Sequence, residues 1–212
     1  FEDFYRDPRA RGFYRDHLVR VLTRKNHRTG VRYSDDPTIF SWELMNESVI
    51  RTAQGAADRR AWVQEMARLI RAYDRNHLIA AGLMGYESLW ERAEWVAVHQ
   101  LPEIDYCDSH LYPQLSGHRV PWPRLRDLLD DRALLARKVV GKPLVLGEFG
   151  FRTDGPRDLW GASRATWFGR VVDRLLGAGA GGVLVWIYEP YAGKPRDFGI
   201  YIDRESTEDV RA

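Results

Sequence analysis

Two segments of the chain end an apolar run in a glutamate. One is Trp42-Glu43-Leu44-Met45-Asn46-Glu47-Ser48, and the other is Leu144-Val145-Leu146-Gly147-Glu148-Phe149-Gly150. Carboxylates do not end apolar strands for reasons of core burial, and the carboxyl end of a parallel strand is where βα loops build a site. A lone Gly-Glu is a weak signal. Two strands that each end in Glu are a stronger one, because both carboxylates then point into the same mouth. Paired carboxylates are the chemistry of glycoside hydrolysis, in which one protonates the leaving oxygen and the other attacks the anomeric carbon or activates water. A separation of about 5–5.5 Å gives retention and about 6.5–9.5 Å gives inversion, and spacing along the chain leaves that distance open. Glu43 shares strand parity with Glu47. Four residues of strand put it roughly 13 Å deeper, so it is expected to be a structural carboxylate with a buried partner.

Two further segments add polar and aromatic groups. In Asp108-Ser109-His110-Leu111-Tyr112-Pro113, His110 and Tyr112 are two apart and share a face if the strand runs that far. Both could reach the carboxylates, the Tyr hydroxyl holding one ionised while His tunes the other. The competing reading is a satisfied polar strand end. Asp108 has the same parity but sits deeper. In Val183-Leu184-Val185-Trp186-Ile187-Tyr188-Glu189-Pro190, Trp186 at a strand's carboxyl end could floor a sugar site, while Glu189 is expected in the loop beyond. Trp faces suit the C–H face of a sugar ring, although most of the 8 Trp are expected in the core.

Alternating helices and strands position these groups. Asp7-Pro8 reads as an N-cap followed by Pro at the first helical position. Tyr14, Leu18, Val21 and Leu22 then recur at helical spacing. Trp62, Met66, Leu69, Ile70 and Tyr73 mark a second helix, and Ser88 with Glu91 fit a capping box for a short third one carrying Trp95. A fourth runs from Pro123 through Val140, and a fifth carries Trp167, Phe168, Val171, Val172 and Leu175 and stops at Gly177. Strands are expected at Ile39–Asn46, His77–Ala81, Ile104–His110, Pro143–Gly147 and Gly182–Ile187, with a polar loop over Asn26–Asp36. Strict alternation implies parallel strands joined by right-handed crossovers. No repeat, low-complexity stretch or linker interrupts the pattern, so residues 1–212 are expected to form one domain. Five strands fit either an open α/β sheet or part of a closed barrel of eight.

Composition excludes several classes. The 32 basic and 30 acidic residues leave +2, which gives the surface no reason to seek nucleic acid or anionic lipid. No run approaches the roughly 18 apolar residues of a membrane span, and no Gly-rich phosphate-cradling turn follows a strand. Cys107 is the only cysteine, so no internal disulfide is possible. No His or Cys set has metal-ligand spacing, and neither a metal nor a cofactor is expected.

Together these segments resemble glycoside hydrolase family 5, in the large clan of retaining (β/α)8 glycosidases. The Asp36-Pro37-Thr38-Ile39 lead into Trp42-Glu43-Leu44-Met45-Asn46-Glu47 resembles its endo-β-1,4-mannanase branch in particular, and the likeness runs from the opening helix to Asp203. The resemblance implies a (β/α)8 TIM barrel, present here as a partial barrel lacking the first three strands and the last helix: the carboxyl-terminal part of one catalytic domain. It implies Glu47 as general acid/base, Glu148 as nucleophile, Asn46 on the substrate 2-hydroxyl, Tyr112 hydrogen-bonded to the nucleophile, His110 beside the acid/base, and Trp186 stacked on the glycone sugar. The implied activity is retaining hydrolysis of β-1,4-mannosidic bonds in a polysaccharide by a monomeric, extracellular enzyme. A β-1,4-glucanase, an exo-β-mannosidase or a non-catalytic fragment are the alternatives. The chain departs from the family pattern at Ser48, where the mannanases usually carry Pro after Asn-Glu. The family also draws an Arg and a polar group from earlier strands, which are not in this chain.

Overall fold

Local chemistry starts the first helix. In the computed structural model, which describes residues 2–113, 120–152, 162–189 and 198–201, the Asp7 carboxylate accepts the N–H groups of Arg9 and Ala10, and Pro8 opens helix α1 (Pro8–Thr23). The chain divides into two compact units, Phe1–Cys107 and Asp108–Ala212, with the boundary inside a strand.

In the first unit, α1 turns Leu18 and Leu22 inward. Tyr14 donates to the Leu44 carbonyl, and burial pushes its hydroxyl pKa up to about 12. Helix α2 (Ala53–Tyr73) is capped by Thr52, whose hydroxyl accepts the Gly55 N–H, and buries Trp62, Met66 and Ile70. The Trp62 indole meets the rings of Phe4, Tyr5 and Tyr14 edge-on, with centroids 4.8–5.5 Å apart. Strand β1 (Ser41–Glu43) pairs in parallel with β2 (Leu78–Ala80), Ser41 opposite Leu78 and Glu43 opposite Ala80. Helix α3 (Leu89–His99) carries the expected capping box of Ser88 and Glu91 and buries Trp95. The expected Asn26–Asp36 loop contains a short 3-10 turn, Tyr33–Asp35.

A buried polar knot joins the amino-terminal side of this unit. Asp74, with a side chain fully buried, accepts from the Trp42 indole N–H at 2.7 Å, lies 2.6 Å from His77 Nδ1, and accepts the backbone N–H groups of Asn76 and His77. His77 Nε2 lies 2.9 Å from the Asp36 carbonyl. Burial alone would raise the Asp74 pKa. The His77 side chain, the Trp42 indole and the two backbone donors outweigh it, and the net shift is below the ordinary 3.8. A lowered carboxylate contributes stability that is fully present above its unfolded-state pKa and lost as pH falls through the folded one. Asp74→Ala, which strands several buried donors, is expected to lower the unfolding free energy by about 2–3 kcal/mol at pH 7. The deficit should shrink as denaturation is repeated at pH values falling below 3.8.

The second unit continues the alternation. Strand β3 (Cys107–Leu111) is buried along its whole length. Helix α4 (Trp122–Leu135) buries Leu125 and Leu129, widens into a π turn over Ala136–Val140, and stops at Gly141, whose φ of 78° suits a residue without Cβ. Strand β4 (Leu144–Phe149) follows, then α5 (Arg164–Gly177), capped by Ser163 and buried along Trp167, Phe168, Val171 and Leu175. Strand β5 (Gly182–Val185) completes a sheet of order β3-β4-β5, with β4 and β5 parallel. Element order and parallel pairing define an α/β fold.

Each expected strand shifts at one end or both: β2 is a residue shorter at each end, β3 starts at Cys107 rather than Ile104 and runs to Leu111, and β4 runs on to Phe149. The first strand spans Ser41–Glu43 rather than Ile39–Asn46, because the backbone turns before Glu47, whose φ of +53° no pleated strand admits. The last expected strand stops at Val185, ahead of a cis Trp186-Ile187 peptide. Glu189, expected in a loop, lies in a short strand β6 (Tyr188–Glu189) that pairs in parallel with β7 (Ile200–Tyr201). Pro190 and Asp203 lie outside the described residues. Apolar side chains face solvent at β5 and ahead of β1: Leu184 is 54% exposed and Phe40 67%, although parallel strands are ordinarily covered on both faces. Among the described residues no helix is long and apolar enough to cross a membrane.

Candidate active site

In the first unit, the segment after β1 is held by backbone contacts to the segment after β2. The Leu44 N–H donates to the Ala80 carbonyl at 3.0 Å, continuing the ladder, and the Glu47 N–H donates to the Gly82 carbonyl at 2.9 Å. Gly82 has φ +76°, and a Cβ there would fall 1.5 Å from the Met45 carbonyl oxygen. The two backbones cross with no room for a side chain, and this crossing sets the turn that presents Asn46 and Glu47. Asn46 is exposed and Glu47 half-buried. Gly82→Ala combines a disfavoured φ with a main-chain clash. It is expected to lower the unfolding free energy by more than about 1 kcal/mol, measured by urea denaturation.

Ser48, the residue after Glu47, is held from α2. The Arg59 guanidinium, 5% exposed in α2, donates to the Ser48 carbonyl at 3.1 Å and to its hydroxyl at 3.3 Å. Just downstream, the Glu2 carboxylate accepts from the Arg51 and Thr52 N–H groups and from the Thr52 hydroxyl. Glu43 has the buried partner expected of it: the Tyr106 hydroxyl donates to its carboxylate at 3.2 Å, and Tyr106 is 3% exposed. The expected depth is corrected, for the Glu43 side chain itself is exposed.

In the second unit, Glu148 is half-buried near the end of β4. Tyr112, one residue past β3, donates its hydroxyl to Glu148 Oε2 at 2.5 Å. His110 Nδ1 lies 3.6 Å from the same oxygen, and the ring is 2% exposed. His110 and Tyr112 thus share a face of the β3 backbone, as their spacing predicts. Arg132, buried in α4, donates to the His110 carbonyl at 3.0 Å and fixes the strand below them. Asp108 is wholly buried, deeper in the strand.

Trp186 follows β5, with its backbone N–H bonded to the Phe149 carbonyl at 2.8 Å and its ring 43% exposed. Gly150 makes that approach possible, since a Cβ there would sit 2.3 Å from the Trp186 carbonyl oxygen. Phe198 packs its ring against Tyr112, centroids 5.1 Å apart. Arg164 anchors that segment by donating to the carbonyls of Phe198 and Gly199 at 2.7 and 3.1 Å. A half-exposed carboxylate oriented by a phenol, with an imidazole beside it and an exposed indole on the neighbouring strand end, suits attack on a sugar carbon.

Gly82, Arg59, Arg164 and Phe198 were not singled out from the sequence. Gly82 alone had a local signal there, as a glycine directly after an apolar strand. The two arginines read as surface residues until their helices are seated.

Glu148 lies near the end of β4, tied to Tyr112, and Glu47 lies in the turn after β1, so each parallel pair carries a carboxylate at its carboxyl-terminal side. A family model described as GH family 5 beta-mannosidase-like matches residues 2–197. The chain belongs to glycoside hydrolase family 5. It is 35% identical over 167 residues to mannan endo-1,4-beta-mannosidase 1 of Oryza sativa subsp. japonica, covering 70% of this chain and 39% of that one. It is 32% identical over 209 residues to mannan endo-1,4-beta-mannosidase 3 of Arabidopsis thaliana, covering 87% and 50%. Among solved structures, the endo-1,4-beta-mannanase of Rhizomucor miehei superposes with a TM-score of 0.81 at 27% identity, covering 99% of this chain and 62% of that one. The endo-beta-1,4-mannanase of Thermotoga petrophila gives 0.80 at 27%, covering 99% and 50%. The chain thus spans about half the length of the curated relatives it matches.

Proposed function

We propose that the protein is a retaining endo-β-1,4-mannanase. The observation that carries this reading is the Tyr112 hydroxyl bonded to Glu148 Oε2 at 2.5 Å, in a chain whose other strand-end carboxylate, Glu47, is presented by a crossing that admits only glycine at position 82. The names of the relatives support the substrate. The two glutamates act on one glycosidic bond. Glu148 attacks the anomeric carbon while Glu47 gives its proton to the departing sugar's oxygen, and the C–O bond breaks to leave a glycosyl ester on Glu148. Glu47, now ionised, takes a proton from water, the water oxygen attacks the anomeric carbon, and Glu148 leaves as carboxylate. Tyr112 orients the nucleophile, Asn46 binds the 2-hydroxyl, His110 adds a polar contact beside them, and Trp186 stacks on the glycone sugar.

The same reading makes residues 1–212 the carboxyl-terminal part of one (β/α)8 catalytic domain whose first three strands and last helix are supplied by the rest of the protein. The exposed apolar side chains of Phe40, Leu184 and Val185 support it, because strands laid beside β1 and β5 would cover them. A polymeric substrate puts the enzyme outside the cell, acting as a monomer. The test is a reducing-sugar assay of the full-length protein on mannan and on carboxymethylcellulose. Release from mannan is expected. Release from cellulose alone would sink the substrate assignment, and release from neither would sink the activity.

A further inference from the structure

The turn that presents Glu47 is built from unusual parts. Glu47 adopts φ +53°, a region that costs an ordinary side chain energy and persists only where the surroundings over-determine it. On its amino side the constraint is the Glu47 N–H bond to the Gly82 carbonyl. On its carboxyl side it is Ser48, which lacks the ring that lets a proline fix its own backbone without any partner. Serine has no such stiffness. Here the Arg59 guanidinium clamps both the carbonyl and the hydroxyl of Ser48. An arginine 5% exposed on the buried face of α2 is costly to hold there unless its donors are used. Two of the uses seen are on the residue adjoining the acid/base.

We infer that Arg59 and Ser48 are positioning residues for Glu47, joined in a buried hydrogen-bonded clamp. This rests on the proposed role of Glu47 as acid/base, and on nothing in the second unit. Loss of the clamp lets the Glu47 turn relax and carries the carboxyl group away from the glycosidic oxygen. A displacement of about 1 Å at a reacting group costs on the order of 100-fold in rate.

The experiment uses the full-length protein with Arg59→Lys and Ser48→Ala. Each is assayed on mannan oligosaccharides, whose leaving group needs a proton, and on 2,4-dinitrophenyl β-mannobioside, whose leaving group does not. For each variant the rate of glycosyl-enzyme formation is read from the dinitrophenol burst. Expected is a loss of roughly 10- to 100-fold in kcat/KM on the oligosaccharide, with the burst rate within about threefold of the parent. Equal losses on both substrates would mean general damage and overturn the clamp. No loss on either, in both variants, would overturn it too. A parent enzyme that cleaves neither substrate contradicts the proposed activity instead, so the two failures are distinguishable. Ser48→Ala removes one hydroxyl from a half-buried site and keeps the test readable if Arg59→Lys does not fold.

Discussion

Glu148→Ala in the full-length protein is expected to lower kcat on mannan by roughly 10^5-fold or more, the scale lost when a covalent nucleophile is removed. The expectation follows from one geometric fact and one chemical one. The fact is that Glu148 is half-buried, with one carboxylate oxygen tied to Tyr112 and near His110. The chemistry is that double displacement has no first step without an oxygen to form the glycosyl ester. Stability is the control. The neighbours of Glu148 are held independently of it, His110 through Arg132 and Tyr112 against Phe198. The variant should therefore melt within a few degrees of the parent, and its far-ultraviolet circular dichroism should match. An active Glu148→Ala protein would remove the nucleophile assignment. A variant that is inactive because it is unfolded would say nothing about chemistry, which is why the melt accompanies the assay.

Glu47→Ala should give a different and more informative defect. General acid–base assistance is worth about 10^2–10^4-fold, and the loss should fall at the upper end of that range on mannan, whose leaving oxygen is a poor one. On 2,4-dinitrophenyl β-mannobioside the first step needs no proton, so the burst of dinitrophenol should survive. Turnover should then stall, because nothing activates water for the second step. Azide, a nucleophile that needs no base, should restore turnover and release the β-configured glycosyl azide. The open space for it is the space vacated by a side chain that is half-buried in the native protein. The same azide should do nothing of this kind for Glu148→Ala. A Glu47→Ala enzyme equally slow on both substrates and indifferent to azide would mean that Glu47 is structural.

The features that sequence made legible are those written in local chemistry. Asp7 with Pro8 and Ser88 with Glu91 start helices through contacts within three or four residues, so reading the caps amounts to reading the structure. Strand parity is equally local, and it put His110 and Tyr112 on the face that meets Glu148. The features that stayed hidden depend on what lies across the fold. β1 reads as an eight-residue strand, Ile39–Asn46, but its length is set by the Gly82 backbone pressing on Met45, a contact between segments far apart in the chain. Arg59 has the same helical spacing as Trp62 and Met66, yet an arginine in a helix is ordinarily solvated. Only the seating of α2 turns it toward Ser48. Glu189 could not be placed in β6 because two-residue strands carry no periodicity.

The most direct test of the account is to trap its covalent intermediate. The full-length enzyme would be inactivated with 2-deoxy-2-fluoro-β-mannobiosyl fluoride, digested, and its peptides sequenced by mass spectrometry. A single fluoromannobiosyl ester on Glu148, formed with loss of activity and discharged on incubation with mannobiose, is the predicted result. A label on any other residue, or full turnover of the reagent by an enzyme that gives the α-anomer as first product, would contradict it.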